Sequence, residues 1–369
     1  MKSNSHAIMN IAILGCGYVA DFYMQTLRQY PNLSVVSAYD KDEKRLPVFP
    51  RHYGIRRYSS LEEILADSSI EMVLNLTNPR SHFELTKSCL LAGKHVYSEK
   101  PLAMDSIMAG KLVELAKQKG LRLAIAPCSL LSETCQTIWK ALHEGAIGPV
   151  RLVYANFDNG MIHRLDPMRW RSASGAEWPA WDEFEVGCTY ERAEYVLSWL
   201  AAFFGPAQRV TAFSSCQIGD KGITSNTMAP DFSVGCIEYK NDVLARVTCS
   251  VLAPSDKSLL IVGDNGVLYT KYVRNDASPV YIATTTSNRI VKAVAARLAH
   301  LGGRVEHLLG LPWSVRGLGV ERKVKFAIRP KLLSGGCSKP VDFMRGPNEL
   351  AESIREGRPC RLRRVPRAV

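Results

Sequence analysis

Over its first 150 residues the chain alternates short apolar runs with amphipathic stretches, and no other feature restricts its fold as much. A short, unbroken apolar run reads as a strand buried on both faces, and the amphipathic stretch after it as a covering helix. Repeated βα units of this kind build a parallel sheet with helices on its faces. Residues 10–14, 34–39, 70–76, 95–98 and 121–126 are the predicted strands. Helices are predicted over about 19–30, over 82–91 closed by Gly93, and from a cap at Asp105 to Lys119. Ser60-Leu61-Glu62-Glu63 has capping-box spacing and opens a short one.

Beyond Gly145 the rhythm changes. Residues 150–157, 208–215, 232–239, 243–251, 259–262 and 267–273 read as strands, some joined by turns such as Lys240-Asn241-Asp242. Adjacent strands without intervening helices predict an antiparallel sheet. The expected class is α/β, with an N-terminal Rossmann domain on a parallel sheet over 1–127. A C-terminal α+β domain with a large open, mainly antiparallel sheet is expected over 128–345, then a basic tail over 346–369. A chain of 369 residues is long enough for two cores. Between Phe157 and Gly205 runs a long excursion rich in Trp and Arg, and loops of that length are usually functional.

Gly15-Cys16-Gly17-Tyr18-Val19-Ala20 is a G-x-G-x-x-A string set between the first strand and the first helix. Gly15 permits the tight turn, Gly17 lets the backbone approach a pyrophosphate, and Ala20 lets the helix pack closely. Tyr18 and Val19 complete the turn, and the helix N-terminus offers free N–H groups to a diphosphate. Asp40 ends the second strand 25 positions after Gly15. A carboxylate there hydrogen-bonds both adenosine ribose hydroxyls and repels a 2′-phosphate, so NAD is the expected cofactor and NADP is disfavoured. Lys41 and Arg45 are the nearby cations through which an extra phosphate would be held.

The run Ala92-Gly93-Lys94-His95-Val96-Tyr97-Ser98-Glu99-Lys100-Pro101-Leu102 resembles the A-G-K-H-V-x-x-E-K-P-L segment of the glucose-fructose oxidoreductase/inositol dehydrogenase (Gfo/Idh/MocA) superfamily. Thr77-Asn78-Pro79 with His82, and Glu144-Gly145-Ala146-Ile147-Gly148-Pro149-Val150, are similar to its strand-end and helix-to-strand patterns. The resemblance extends over nearly the whole chain. It implies an NAD(P)-binding domain and an open-sheet domain, with a sugar or cyclitol hydroxyl oxidised, or the ketone reduced, between them. Thr77, Asn78, His82, Glu99 and Lys100 then belong to the cofactor site. The Lys100 ammonium would hydrogen-bond the reacting oxygen and stabilise its developing charge, with Glu99 orienting it and Pro101, after a cis bond, holding the turn.

The family's D-x-G-x-H-x-x-D pattern aligns with Glu185-Val186-Gly187-Cys188-Thr189-Tyr190-Glu191-Arg192. Glu185 keeps the first carboxylate, but Thr189 replaces the histidine, and a threonine hydroxyl is no acid or base near neutral pH. Lys100, Tyr190 and His163 are the candidates to move the proton. Arg164, Arg169, Trp170, Arg171 and Trp178 would suit an anionic or nucleotide-linked sugar, and structural salt bridges with core tryptophans explain them equally well. The chain ends on residues 363–369, which lack a helical pattern where many relatives continue with a helix.

The net charge of +12 comes from residues 284–369, which hold 18 Lys and Arg against 6 Asp and Glu. A solvated basic surface is the expected reading. No helix-turn-helix or zinc-finger pattern is present, so no nucleic-acid partner is expected. The basic amphipathic stretch 287–309 is expected to pack on the protein rather than on a membrane. No apolar run approaches a membrane span and the N-terminus lacks a signal-peptide core, so the cytoplasm is the expected location. Ten scattered cysteines without a C-x-x-C pair suggest neither a disulfide framework nor a metal site. The expected partners are a small-molecule sugar and further copies of the chain, joined through the C-terminal sheet.

The leading expectation is an NAD-dependent oxidoreductase acting on a sugar, nucleotide-sugar or cyclitol. One alternative is an NAD-assisted lyase or glycosidase, which the missing histidine would allow. The other is a non-catalytic NAD-binding regulator, against which the retention of Lys100 argues.

Overall fold

The computed structural model describes residues 8–223, 228–284, 321–331 and 340–363. Six parallel strands form the first sheet: β1 (Met9–Leu14), β2 (Leu33–Tyr39), β3 (Arg56–Arg57), β4 (Met72–Asn75), β5 (His95–Ser98) and β6 (Leu123–Ile125). Their spatial order is β3-β2-β1-β4-β5-β6, so the winding direction reverses between β1 and β4. Ligands of open α/β sheets bind outside the strand ends at such a reversal. The ends of β1 and β4, Leu14 and Asn75, pair directly there. The strands are apolar on both faces because α1 (Ala20–Leu27), α2 (Val48–Tyr53), α3 (Leu61–Ala66), α4 (His82–Leu91) and α5 (Ser106–Gln118) cover the sheet. Local signals set the helix starts: Ser60 accepts the Glu63 N–H at 3.3 Å, and Asp105 accepts that of Met108 at 2.8 Å.

After α6 (Glu133–His143) the second sheet begins with β7 (Val150–Asp158). It continues through β8 (Arg209–Ser215), β9 (Phe232–Glu238), β10 (Leu244–Ser250), β11 (Leu259–Gly263), β12 (Gly266–Thr270), β13 (Val280–Thr284) and β14 (Glu321–Lys323). The order is β14-β13-β12-β11-β7-β10-β9-β8, antiparallel except where β10 lies parallel to β7. One face buries Val153, Phe157, Ala245 and Ile261 against Ile138 of α6 and Trp199 and Leu200 of α8 (Glu194–Phe204). The excursion between β7 and β8 also carries α7 (Ala180–Val186) and, just before α8, a π-helical turn over Thr189–Ala193.

The expected basic tail does not begin at 346. Residues Arg345–Arg355 form helix α9, whose Leu350 and Ala351 are buried with Met9, Tyr23 and Tyr97 of the first domain. The positive charge in this segment masks an apolar face. Arg345 is answered by Glu133, Asp276 and Asp342, and Arg358 by Glu349, Glu352 and Glu356. The predicted helix at 287–309 and the last six residues lie outside the described residues. Among the described residues no helix is long and apolar enough to cross a membrane.

Candidate active site

The turn after β1 admits only glycine at its first position. Gly15 has φ +91°, and a Cβ there would come within 2.8 Å of the Leu76 carbonyl and the Thr77 nitrogen. Gly17 is open instead, since a Cβ would meet only the Arg45 Nη1, at 3.6 Å. Ala20 is fully buried at the start of α1, while Tyr18 and Val19 face a cavity of about 470 Å³. A second cavity, of about 530 Å³, runs from Gly17 past Asp40. The two share Gly17, Arg45, Leu76, Thr77 and Asn78, so together they form one elongated cleft over the strand ends. Asp40 joins the turn to the end of β2, accepting the Cys16 N–H at 2.7 Å and the Asp42 N–H at 2.8 Å. Arg45 pairs with Asp42 at 2.9 Å and reaches Asp40 at 3.9 Å. An open glycine position in an elongated cleft closed by a carboxylate fits a dinucleotide.

Thr77 and Asn78 line both cavities and are held from below. Thr77 Oγ1 donates to Asn75 Oδ1 at 2.7 Å, and Asn78 Nδ2 donates to Asp182 of the second domain at 2.8 Å. His82 departs from its expected role because it is fully buried and lines neither cavity. Its ring nitrogens lie 2.6 Å from the Pro101 carbonyl oxygen and 2.8 Å from that of Thr77. It therefore ties the cofactor loop to the lysine turn, where a ligand cannot reach it. Burial lowers its pKa, against the pull of those two carbonyls.

Lys100 follows β5, and the Lys100–Pro101 peptide is cis. Its ammonium is buried, donates to the Glu191 carboxylate and stands 6.0 Å from the centroid of the Tyr195 ring. Burial opposes the charge, but Glu191, Tyr195, Glu183 and Glu99 outweigh it and hold the lysine pKa above its ordinary value. Glu191 stays ionised in turn: burial raises its pKa, and Lys100 and Arg192 bring it below the usual carboxylate value. Glu99 accepts from the Tyr23 hydroxyl at 2.8 Å and from the Lys100 backbone N–H at 3.1 Å, so it anchors the turn rather than the ammonium. A second buried pair, Arg192 with Glu183 at 2.5 Å, lies beside the first. Burial lifts Glu194 to about 7, with Lys100 opposing.

The remaining expected residues separate clearly. Tyr190 is 45% exposed and donates to the Met104 carbonyl, Thr189 is exposed, and Glu185 lies outside both cavities. His163 also lies outside them, its ring nitrogens buried without a hydrogen-bond partner among the described residues. The π-helical turn is the reason: it turns Thr189 and Tyr190 outward and brings Glu191 and Arg192 inward. The spacing of carboxylate, small residue and polar side chain recurs six residues later, at Glu191, Ala193 and Tyr195. That second match is visible in the sequence, and the absence of a histidine hid it. Trp170 and Trp178 line the 470 Å³ cavity with ring centroids 5.2 Å apart, but Arg164, Arg169 and Arg171 are exposed. The cations that face this cavity from the second domain, Arg192, Lys257 and Arg274, carried no local sequence signal.

Residues 9–126 match the Gfo/Idh/MocA oxidoreductase family with its NAD-binding Rossmann fold, and residues 135–269 match the C-terminal domain of that family. The chain belongs to the Gfo/Idh/MocA family. Its two matches cover the first sheet and the second as far as β12, and the protein is an NAD(P)-dependent oxidoreductase. Over 258 residues it is 24% identical to the trans-1,2-dihydrobenzene-1,2-diol dehydrogenase of Bos taurus, covering 69% of this chain and 72% of the relative. A putative NADPH-dependent oxidoreductase from Desulfitobacterium hafniense has the same fold, with TM-score 0.70 and 20% identity, covering 96% of this chain and 89% of that one. The WlbA dehydrogenase from Bordetella pertussis, in complex with NADH and UDP-GlcNAcA, aligns with TM-score 0.62 and 20% identity over 83% of this chain and 85% of its own.

Proposed function

We propose that the protein interconverts a CH–OH group and a ketone on a sugar, nucleotide-sugar or cyclitol, with NAD as redox partner, and that Lys100 and Tyr195 serve the reacting oxygen. The observation that carries this reading is the buried Lys100–Glu191 pair opening into the cavity that also contains the glycine turn. A bound nicotinamide ring supplies or accepts the hydride. Lys100 donates a hydrogen bond to the substrate oxygen, which gains negative charge as its proton leaves in oxidation or as hydride adds to the carbonyl carbon in reduction. Glu191 keeps that lysine charged and aimed. Tyr195, with its ring stacked on Phe157 at 4.9 Å, moves the hydroxyl proton between the reacting oxygen and water, in the role of the family histidine.

The preference for NAD is part of the same proposal. Asp40 lies in the wall of the 530 Å³ cavity, and Arg45 is already engaged by Asp42 and Asp40, which leaves it poorly placed to hold a 2′-phosphate. Assembly through the second sheet also belongs to it, since Phe213 and Leu244 stand exposed on its outer face.

The test is turnover across sugars, nucleotide sugars and cyclitols, followed by nicotinamide absorbance. Lys100→Ala is expected to lower kcat on the identified substrate by about 100-fold or more, and Tyr195→Phe by at least ~10-fold. NADH affinity should stay within about threefold in both. Wild-type rates from Lys100→Ala would end the proposal.

A further inference from the structure

We propose that Lys257 and Arg274 form an anion seat in the substrate half of the cleft, so that the substrate bears a carboxylate or phosphate besides the hydroxyl being oxidised. This rests on the reading of the cleft given above and adds the chemical class of the substrate.

Both side chains line the 470 Å³ cavity that contains Lys100. The other buried cations of that cavity are neutralised, Lys100 by Glu191 and Arg192 by Glu183. Lys257 and Arg274 differ: among the described residues neither has a carboxylate within ion-pair distance. Lys257 Nζ donates to Ser255 Oγ at 2.9 Å and rests 5.2 Å from the Tyr272 ring centroid and 5.7 Å from that of Phe157. The Arg274 guanidinium lies 4.3 Å from the centroid of Tyr195. The acidic groups that favour the charge on Lys257 are Asp158 and Asp256, and Asp256 is already engaged, by Asn156 at 2.9 Å and the Ser258 N–H at 2.9 Å. Burial raises the pKa of Asp158, against the pull of Ser250, Arg246 and Lys257.

Two cations that line one cavity without carboxylate partners repel each other, and an anion bound between them would relieve that repulsion. Burial, with Arg274 and Arg192, depresses the Lys257 pKa to about 8, against Asp158 and Asp256, which is the electrostatic trace of the same crowding. Position fits as well. Phe157 stacks on Tyr195, and these two rings link the Lys257 end of the cavity to Lys100. Trp170 and Trp178, which line the same cavity, offer an apolar wall to the body of a sugar.

Binding to the protein–NADH complex tests this without turnover. Calorimetric titration with D-glucuronate, D-glucose 6-phosphate and D-glucose separates carboxylate, phosphate and neutral probes. We expect at least one anionic probe to bind tenfold or more tighter than glucose. Lys257→Met, which keeps the stem packed on its rings, and Arg274→Gln should each reduce that preference at least tenfold, while Lys257→Arg retains it. Preference for glucuronate or for the phosphate names the anion. Equal binding of all three probes, or a preference untouched by both variants, overturns the seat. A protein that binds an anion through Lys257 but oxidises no sugar would fail the redox proposal alone. One that oxidises neutral sugars through Lys100 without anion preference would fail this inference alone.

Discussion

At the scale of single residues, the same chemical type does different work according to what surrounds it. Asp40 is held by two backbone N–H groups in the wall of the 530 Å³ cavity, the place the proposed function gives to an adenosine ribose. Asp40→Ser removes that charge while leaving a hydrogen-bonding oxygen. The ratio of NADH to NADPH affinity, measured by titration, should move at least tenfold toward NADPH, a change of about 1.4 kcal/mol. An unchanged ratio would remove Asp40 from the choice of cofactor. Lys100 is a contrasting case, since burial alone would discharge a lysine and Glu191 prevents it. Tyr190 and Tyr195 are five positions apart, yet one faces solvent and the other lines the cleft.

Among the elements, the π-helical turn at Thr189–Ala193 decides which side chains reach Lys100. Such turns add one residue to a helical coil and rotate the succeeding side chains about its axis, and they occur often at functional sites. Helix α9 shows how tightly the two ends of the chain are matched. A Cβ at Gly346 would lie 2.3 Å from the hydroxyl and 2.6 Å from ring atoms of Tyr97, which is fully buried and has no room to withdraw. Gly346→Ala should therefore cost about 1–3 kcal/mol of stability, read as a lower denaturation midpoint. A midpoint equal to wild type would show that α9 is not packed against β5 in this way.

In the whole molecule, Arg345 is the joint between domains. It binds Glu133 at 3.0 Å and reaches Asp276 at 3.5 Å and Asp342 at 3.7 Å, while Tyr30 of the first domain donates to Asp342 at 2.5 Å. Burial lifts Asp276 to about 6, against the pull of Arg345. A carboxyl whose folded pKa exceeds its unfolded value of roughly 4 stabilises fully below that value. Its contribution is lost as pH rises through about 6. Arg345→Met strips the counter-charge from three buried carboxyls and should cost about 3–5 kcal/mol at pH 7. At pH 5 protonation of Asp276 relieves part of the repulsion, so the penalty should shrink in denaturant titrations. A penalty equal at both pH values would show that the carboxyls do not act through their charge.

The chain itself determined the cofactor half. The glycine turn, the end of β2 and the Glu99-Lys100-Pro101 turn are each set by a few contiguous residues whose backbone geometry allows little choice, so local spacing carried their meaning. Most strands of both sheets were readable for the same reason, because burial of one or two faces imposes a short period on the sequence, but β3, β13 and β14 were not among the expected strands. Only the folded molecule decided which side chains of the second domain line the cavity with Lys100. Glu191, Tyr195, Lys257 and Arg274 come from segments far from Lys100 in the chain, and the family spacing fits at both 185 and 191 until the π-helical turn selects one. The docking of α9 was hidden likewise, because Arg345 read as part of a charged tail until Asp276 and Glu133, carboxylates from elements far away in the chain, closed around it. Period and turn chemistry act between neighbours, whereas convergence of charges depends on how separate elements are packed.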